Sequence, residues 1–225
     1  MRGPATSSMQ KQAPTLGGVT TRLRGLTGAT LPSAPTVCHD CVFWQSRPGR
    51  RASKRKWIEK AEDDWGAWGT LYVDDDGRVL GSMQYGPSEL FPRAEALPAG
   101  PPSDDAVLIT CAYLVGGSAP WVMQSLFLAA IADVRERGGR ALEAFAYRYV
   151  EGESAEQRFL VHRTVFPGDF LADFGFQTVR RLGRVALARL ELGGLVFAEE
   201  GKRAKLIRVV KEALEPEPSP VPRRP

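Results

Sequence analysis

The chain has 225 residues, of which 43% are hydrophobic and 25% charged, the balance of an ordinary globular protein holding one domain with tails. Its net charge of +4 favours anionic partners without naming one, and the charge is not interleaved with aromatics as a nucleic-acid face would be. No apolar run approaches the roughly 20 residues needed to cross a membrane, and three cysteines, Cys38, Cys41 and Cys111, fit a reducing cytoplasm.

Residues 1–20 lack both apolar periodicity and the apolar core of a signal peptide, so they read as a disordered tail. Thr21 to Leu26 is a short strand candidate. Lys54 to Trp65 places Trp57, Ile58, Ala61 and Trp65 on one helical face. Thr70 to Val73 and Arg78 to Tyr85 flank Asp74-Asp75-Asp76-Gly77, a turn signal joining antiparallel strands. After a Pro-containing loop, Ala106 to Val115 (AVLITCAYLV) is a continuous apolar run, as a strand buried on both faces requires. Ser118 is placed to cap the next helix with Pro120 in its first turn, and Gly138-Gly139 stop it. Ala141 to Tyr149 reads as a strand, Gly168 to Phe174 as a short helix, and Gln177 to Arg181 with Val185 to Leu192 as a closing hairpin. Residues 201–214 form an appended amphipathic helix with Leu206, Val209 and Val210 on one side, and 215–225 a Pro-rich tail. The implied class is α/β (α+β), a mixed, mostly antiparallel sheet with helices on both faces, over residues 21–200.

This order of elements resembles the GNAT superfamily of N-acetyltransferases. The strand ending in Tyr113-Leu114-Val115, followed by a turn, a helix stopped by Gly138-Gly139 and the strand ALEAF, is similar to the family's cofactor-binding strand–loop–helix. Asp169 to Phe176, ending in Gly175-Phe176, resembles the closing segment of many members, and Cys38-x-x-Cys41-Val42-Phe43-Trp44 resembles actinobacterial ones.

The resemblance implies a chain that takes acetyl-CoA as co-substrate and transfers its acyl group to an amine. The backbone at Leu114 and Val115 would bind the pantetheine arm. The family's phosphate loop carries Arg/Gln-x-x-Gly-x-Gly, where bare backbone lets N–H groups converge on the pyrophosphate at a helix N-terminus. Here Ala119-Pro120-Trp121-Val122-Met123-Gln124 stand at those positions, so Val122, Met123 and Gln124 fall where the cradle belongs. Gly116 and Gly117 lie earlier and form either a displaced nest or a plain turn. The tyrosine that many members place four residues before the Gly of Gly-Phe is replaced by Leu171, beside Phe170, with Tyr147 and Tyr149 as substitutes. Glu143, Asp104 and Asp105 are conceivable bases, and the sequence selects none of them. A second reading remains beside the enzyme: a GNAT-like binding or regulatory module that has lost or altered CoA binding.

Cys38-His39-Asp40-Cys41 invites a zinc reading, but zinc takes four ligands and only His162 and Cys111 remain, so no metal is expected. His162 reads as structural. The run Arg47 to Lys56 (RPGRRASKRK) carries six basic residues at the start of a helix whose acidic residues, Glu59, Glu62, Asp63 and Asp64, lie toward its end. That is the unfavourable direction for the macrodipole, and it points to an anionic group on a ligand or partner. The implied partner is therefore an amine acceptor, small molecule or protein, with anionic character. The reading admits a homodimer.

Overall fold

The computed structural model describes residues 22–116, 120–148, 152 and 165–193. Both tails, the expected helix over 201–214, and the positions Gly117, Ser118, Tyr149 and His162 lie outside the described residues. The chain divides after Leu192, and all elements below belong to the first unit.

Strands β1 (Arg22–Gly25), β2 (Gly69–Val73), β3 (Val79–Pro87), β4 (Ala106–Leu114), β5 (Ala141–Tyr147), β6 (Phe166–Pro167), β7 (Gln177–Leu182) and β8 (Val185–Glu191) form one sheet. Its order is β1-β2-β3-β4-β5-β8-β7, with β6 paired to β5. The β4–β5 and β5–β6 pairs are parallel and the others antiparallel. Helices α1 (Thr36–His39), α2 (Lys54–Asp64), α3 (Pro120–Glu136) and α4 (Gly168–Asp173) cover its faces. This is the mixed sheet the sequence implies. Its two surprises, α1 and β6, are a single turn and a two-residue bridge, both too short to leave a periodic signal.

Local chemistry places the boundaries. At the β2–β3 turn, Asp74 Oδ1 accepts from the Asp76 and Arg78 N–H groups at 3.0 and 2.8 Å, and Gly77 supplies the left-handed residue at φ 80°. At the end of α3, Gly138 adopts φ 77°, and the Gly139 N–H bonds the Val134 carbonyl at 2.8 Å.

Two cores flank the sheet. On one face Trp57 and Ala61 of α2 join Trp44, Trp68, Leu71, Val73, Leu108, Phe145 and Leu187. Three contacts fix their arrangement. Trp57 meets Trp68 edge-on at 4.9 Å, it donates to the Leu90 carbonyl at 2.8 Å, and Trp44 stacks on Phe145 at 5.8 Å. On the other face Phe127 of α3 stacks on Phe174 at 5.0 Å and meets Phe166 and Phe170 edge-on at 5.2 and 5.0 Å, which locks α4 against α3. Among the described residues, no helix is long and apolar enough to cross a membrane.

One polar chain ties α3 to the sheet. The buried Tyr85 hydroxyl contacts Thr70 Oγ1 at 2.8 Å and donates to Asp133 at 2.9 Å, while Arg137 bonds Asp133 at 3.0 Å and the Trp65 carbonyl at 2.7 Å. Burial pushes the tyrosine's ionisation well above its ordinary range, so it acts only as a neutral donor. Replacing Tyr85 with Phe strips Thr70 and Asp133 of this partner and lowers stability by about 1–3 kcal/mol. Urea unfolding checks this as a lower midpoint at unchanged slope.

Candidate functional site

The sheet opens at its centre. β4 and β5 pair from Ala106 with Ala141 to Ile109 with Ala144, and no further. β4 continues to Leu114 along β3, while β5 continues to Tyr147 along β6 and β8. Where the two part, β4 carries a bulge: Cys111 pairs with Gln84 and Ile109 with Tyr85, leaving Thr110 without an opposite residue on β3. A bulge bends its strand and re-aims the side chains beyond it. The Thr110 hydroxyl, fully buried, lies 3.0 Å from Gln84 Oε1 and 3.2 Å from the Gln84 carbonyl, and Gln45 Nε2 donates to the same Oε1 at 3.1 Å. Three buried polar side chains thus hold the bulge from inside.

The end of β4 and the start of α3 bound this opening. Of the residues expected at a cofactor site, Leu114 is half-buried, and the exposed Val115 donates its N–H to the Leu80 carbonyl at 2.9 Å, so that N–H is already engaged by the sheet. Gly116 is exposed at φ 56°, with open space where a Cβ would sit. Val122 and Met123 are buried, and Gln124 is half-buried. A Cβ added to Gly81 would meet Val122 Cγ1 at 3.0 Å and Leu114 Cδ2 at 3.1 Å, so both side chains point down onto the sheet. The bulk of Val122 therefore lies beneath the loop. In the first turn of a helix the N–H groups have no intrahelical partner, so Trp121, Val122 and Met123 present donors there, while Pro120 presents none. The Trp121 indole, 46% exposed, rests edge-on against Tyr72 at 5.3 Å.

The order of elements, with its strand–loop–helix at the centre of a mixed sheet, matches the architecture that the sequence resemblance implies. The fold is GNAT-like. Solved structures similar to it include an N-acetyltransferase from Staphylococcus aureus at 12% identity and TM-score 0.46, covering 77% of this chain and 99% of that one. A GNAT family N-acetyltransferase from Escherichia coli in complex with CoA is similar at 13% identity and TM-score 0.43, covering 80% and 86%. An N-acetyltransferase from Thermoplasma acidophilum in complex with coenzyme A is similar at 12% identity and TM-score 0.43, covering 76% and 99%. No protein-family model matches the chain, and no curated protein matches it either.

In this GNAT-like frame, two of the three acidic candidates from the sequence, Glu143 and Asp105, are held in structural contacts, while Asp104 is exposed in the turn before β4. Glu143 is fully buried on β5, where its two oxygens accept from the Ser103 N–H at 2.8 Å and the Ser103 hydroxyl at 2.7 Å. Arg189 of β8 lies 3.3 Å from the same carboxylate and grips Asp105 through two bonds of 2.9 and 3.0 Å. That guanidinium holds the Asp105 carboxyl below its ordinary range. Asp105 precedes β4, whereas Glu143 pairs with Leu108, one residue short of the parting point, and bonds back to Ser103; both are committed to Arg189.

Leu171 is buried, and Phe170 packs against Phe127 and Phe174, so neither can donate a proton. Tyr147 stands at the far end of β5, half-buried, with Arg184 Nη1 3.5 Å from its hydroxyl.

The α2 side of the opening brings together residues that the sequence considered separately. Tyr113 lies directly opposite Ser82, and Ser82 Oγ is 3.9 Å from Cys38 Sγ. Lys54 bonds the Cys41 carbonyl at 3.0 Å and lies 5.1 and 5.3 Å over the Trp57 and Trp68 rings. Burial lowers its pKa against the opposing pull of nearby Cys41, Cys111, Cys38 and Asp40. Burial likewise pushes the Cys111 thiol up to about 12, so it stays protonated. His39 Nε2 bonds the Ala34 carbonyl at 2.9 Å. Among the described residues, no three side chains converge as metal ligands would.

Replacing Arg189 with Met leaves the Glu143 carboxylate buried without its cation, and stability falls by about 3–5 kcal/mol in urea unfolding. The Asp105 link adds an acid dependence. Because its folded pKa is depressed, its contribution is complete above the ordinary carboxylate value near 4 and fades as pH falls below that. Arg189→Met removes that component of the stability–pH curve.

Proposed function

We propose that this chain is an acyl-CoA-dependent N-acyltransferase that transfers the acyl group of acetyl-CoA to an amine. The observation that carries the reading is the parting of β4 from β5 after Ile109, close to the first turn of α3. A strand that leaves its neighbour offers backbone groups to an extended amide chain, which is what pantetheine is. A helix N-terminus offers unpaired N–H groups and a favourable field to a pyrophosphate. Support for that fit comes from Val122 and Met123, whose side chains are buried in the core and so do not stand over the first turn.

In this reading the acceptor amine attacks the thioester carbonyl carbon, the C–S bond breaks, and the thiolate leaves with the proton it needs. The amine's surplus proton passes to water. Tyr147, on the β5 wall beyond the parting point, serves as proton donor to the thiolate in place of the missing tyrosine at Leu171. The neutral Cys111 thiol and the engaged Lys54 are packing groups of the acceptor-side wall.

Calorimetric titration with acetyl-CoA and CoA tests the binding step. Ligand at about a hundred times its Kd raises stability by about 2.7 kcal/mol. Absence of heat and of any rise in Tm at millimolar ligand sinks the enzyme reading and leaves a GNAT-like binding module. With binding in hand and an amine turned over, Tyr147→Phe lowers kcat by about a hundredfold or more and leaves acetyl-CoA affinity unchanged. An unchanged kcat removes Tyr147 from the mechanism.

A further inference from the structure

The basic run that stood out in the sequence forms one wall of a surface cavity of about 520 Å3, within the range of small-molecule sites. Arg47, Arg50, Arg51 and the sequence-distant Arg93 line it, and Asp40 is its only acidic lining residue. Four guanidinium groups against one carboxylate leave a surplus of three positive charges.

The loop that presents them is pinned. The buried Ser46 hydroxyl donates to the Val42 carbonyl at 2.6 Å and accepts from the Ala52 N–H at 3.0 Å, closing the segment at its base. Gly49 turns it at φ 74°, and the Arg50 N–H bonds the Arg47 carbonyl at 3.0 Å. Arg93 is fixed on the opposite wall. Its Nε donates to the Phe43 carbonyl at 2.6 Å, and its guanidinium lies 4.5 Å over the Phe43 ring.

Four arginines elsewhere on the described surface are matched to acids, Arg55 to Glu59, Arg78 to Asp74 and Asp76, Arg137 to Asp133 and Arg189 to Asp105, whereas scattered ones such as Arg24 and Arg181 are not; the cavity differs in gathering its arginines at one place. In the cavity, Arg47 reaches Glu95 only at 4.0 Å with both side chains mostly exposed, and Arg50 and Arg51 have no ion pair among the described residues. Such a surplus repels itself unless an anion neutralises it, and forked guanidinium donors match the oxygens of a phosphate.

None of the cavity's lining residues belongs to β4 or β5, but one contact leads from it toward β4. Its lining residue Cys41 is bonded through its carbonyl to Lys54, on the same wall as Cys111 of β4. We propose that this cavity binds the dianionic phosphate of a phosphomonoester, carried by the amine that accepts the acyl group. The acceptor assignment rests on the acyltransferase reading, whereas phosphate binding does not.

The test is titration of the full chain, without acetyl-CoA and at a fixed ionic strength of about 0.15 M, with O-phosphoethanolamine, ethanolamine and inorganic phosphate. O-phosphoethanolamine is expected to bind at least about tenfold more tightly than ethanolamine. The exposed pair Arg50→Gln/Arg51→Gln weakens it by about 10- to 100-fold. A charge-matched variant, Arg24→Gln/Arg181→Gln, leaves it unchanged. Absence of binding, an Arg50/Arg51 variant equal to wild type, or an equal loss in the control variant overturns the proposal. Inorganic phosphate binding as tightly as O-phosphoethanolamine makes free phosphate the ligand and overturns the acceptor assignment. The acyltransferase reading fails on the acetyl-CoA titration alone, so the two failures are separable.

Discussion

Thr110 has no opposite residue on β3, and the centre of the sheet is arranged around that surplus. Strand side chains alternate between faces, so one unmatched residue reverses the alternation for everything beyond it. Leu108 lies in the α2-side core, and past the bulge Cys111 lies beside Lys54 on that same side. Without the bulge, Cys111 and Tyr113 would turn toward α3, and Leu114 would lose its place over Gly81. The bulged residue is also where β4 ceases to pair with β5. Burying Thr110, Gln84 and Gln45 together would be costly with any one of them unpartnered, and their mutual bonds remove that cost.

The two faces of the sheet are divided in chemistry as well as in packing. The α3 side is sealed by aromatic contacts around Phe127 and by the Tyr85–Asp133 bond, which leaves the first turn of α3 as its main polar feature. The α2 side carries the thiols, the Lys54 ammonium and, further out, the arginine cavity. An acyl donor held along β4 and an acceptor approaching from α2 would then meet where the strands part. In the proposed reading the field on each side would suit its ligand, since both the helix terminus and the arginines attract negative charge.

Much of the fold was legible because its signals are local. The unbroken apolar run at Ala106 gave a strand buried along its first half, Asp74 to Gly77 gave the turn, and Gly138-Gly139 gave the helix stop. The site was less legible because its determinants are not local. A threonine inside an apolar strand carries no mark of a bulge, which depends on register with β3. Arg93 is far in sequence from the basic run it completes. Glu143 looked like a free acid on a strand, yet its two partners come from the loop before β4 and from β8. Val122 looked like an obstruction because sequence gives the size of a side chain and not its direction.

The direction of charge along α2 follows from the same division of labour. Its N-terminal basic residues oppose the macrodipole, and the six cations around them do not act as one cluster. Lys54 is drawn under the helix start, onto the Cys41 carbonyl and two indole faces, which compensate part of its desolvation. Arg55 is met by Glu59 one turn on. Arg50, Arg51 and Lys56 have no ion pair among the described residues, and the two arginines lie in the loop ahead of the helix, which Ser46 and Gly49 hold beside Arg93. An anion seated there would relieve the repulsion among the arginines and screen the positive end of α2 from its own lysines.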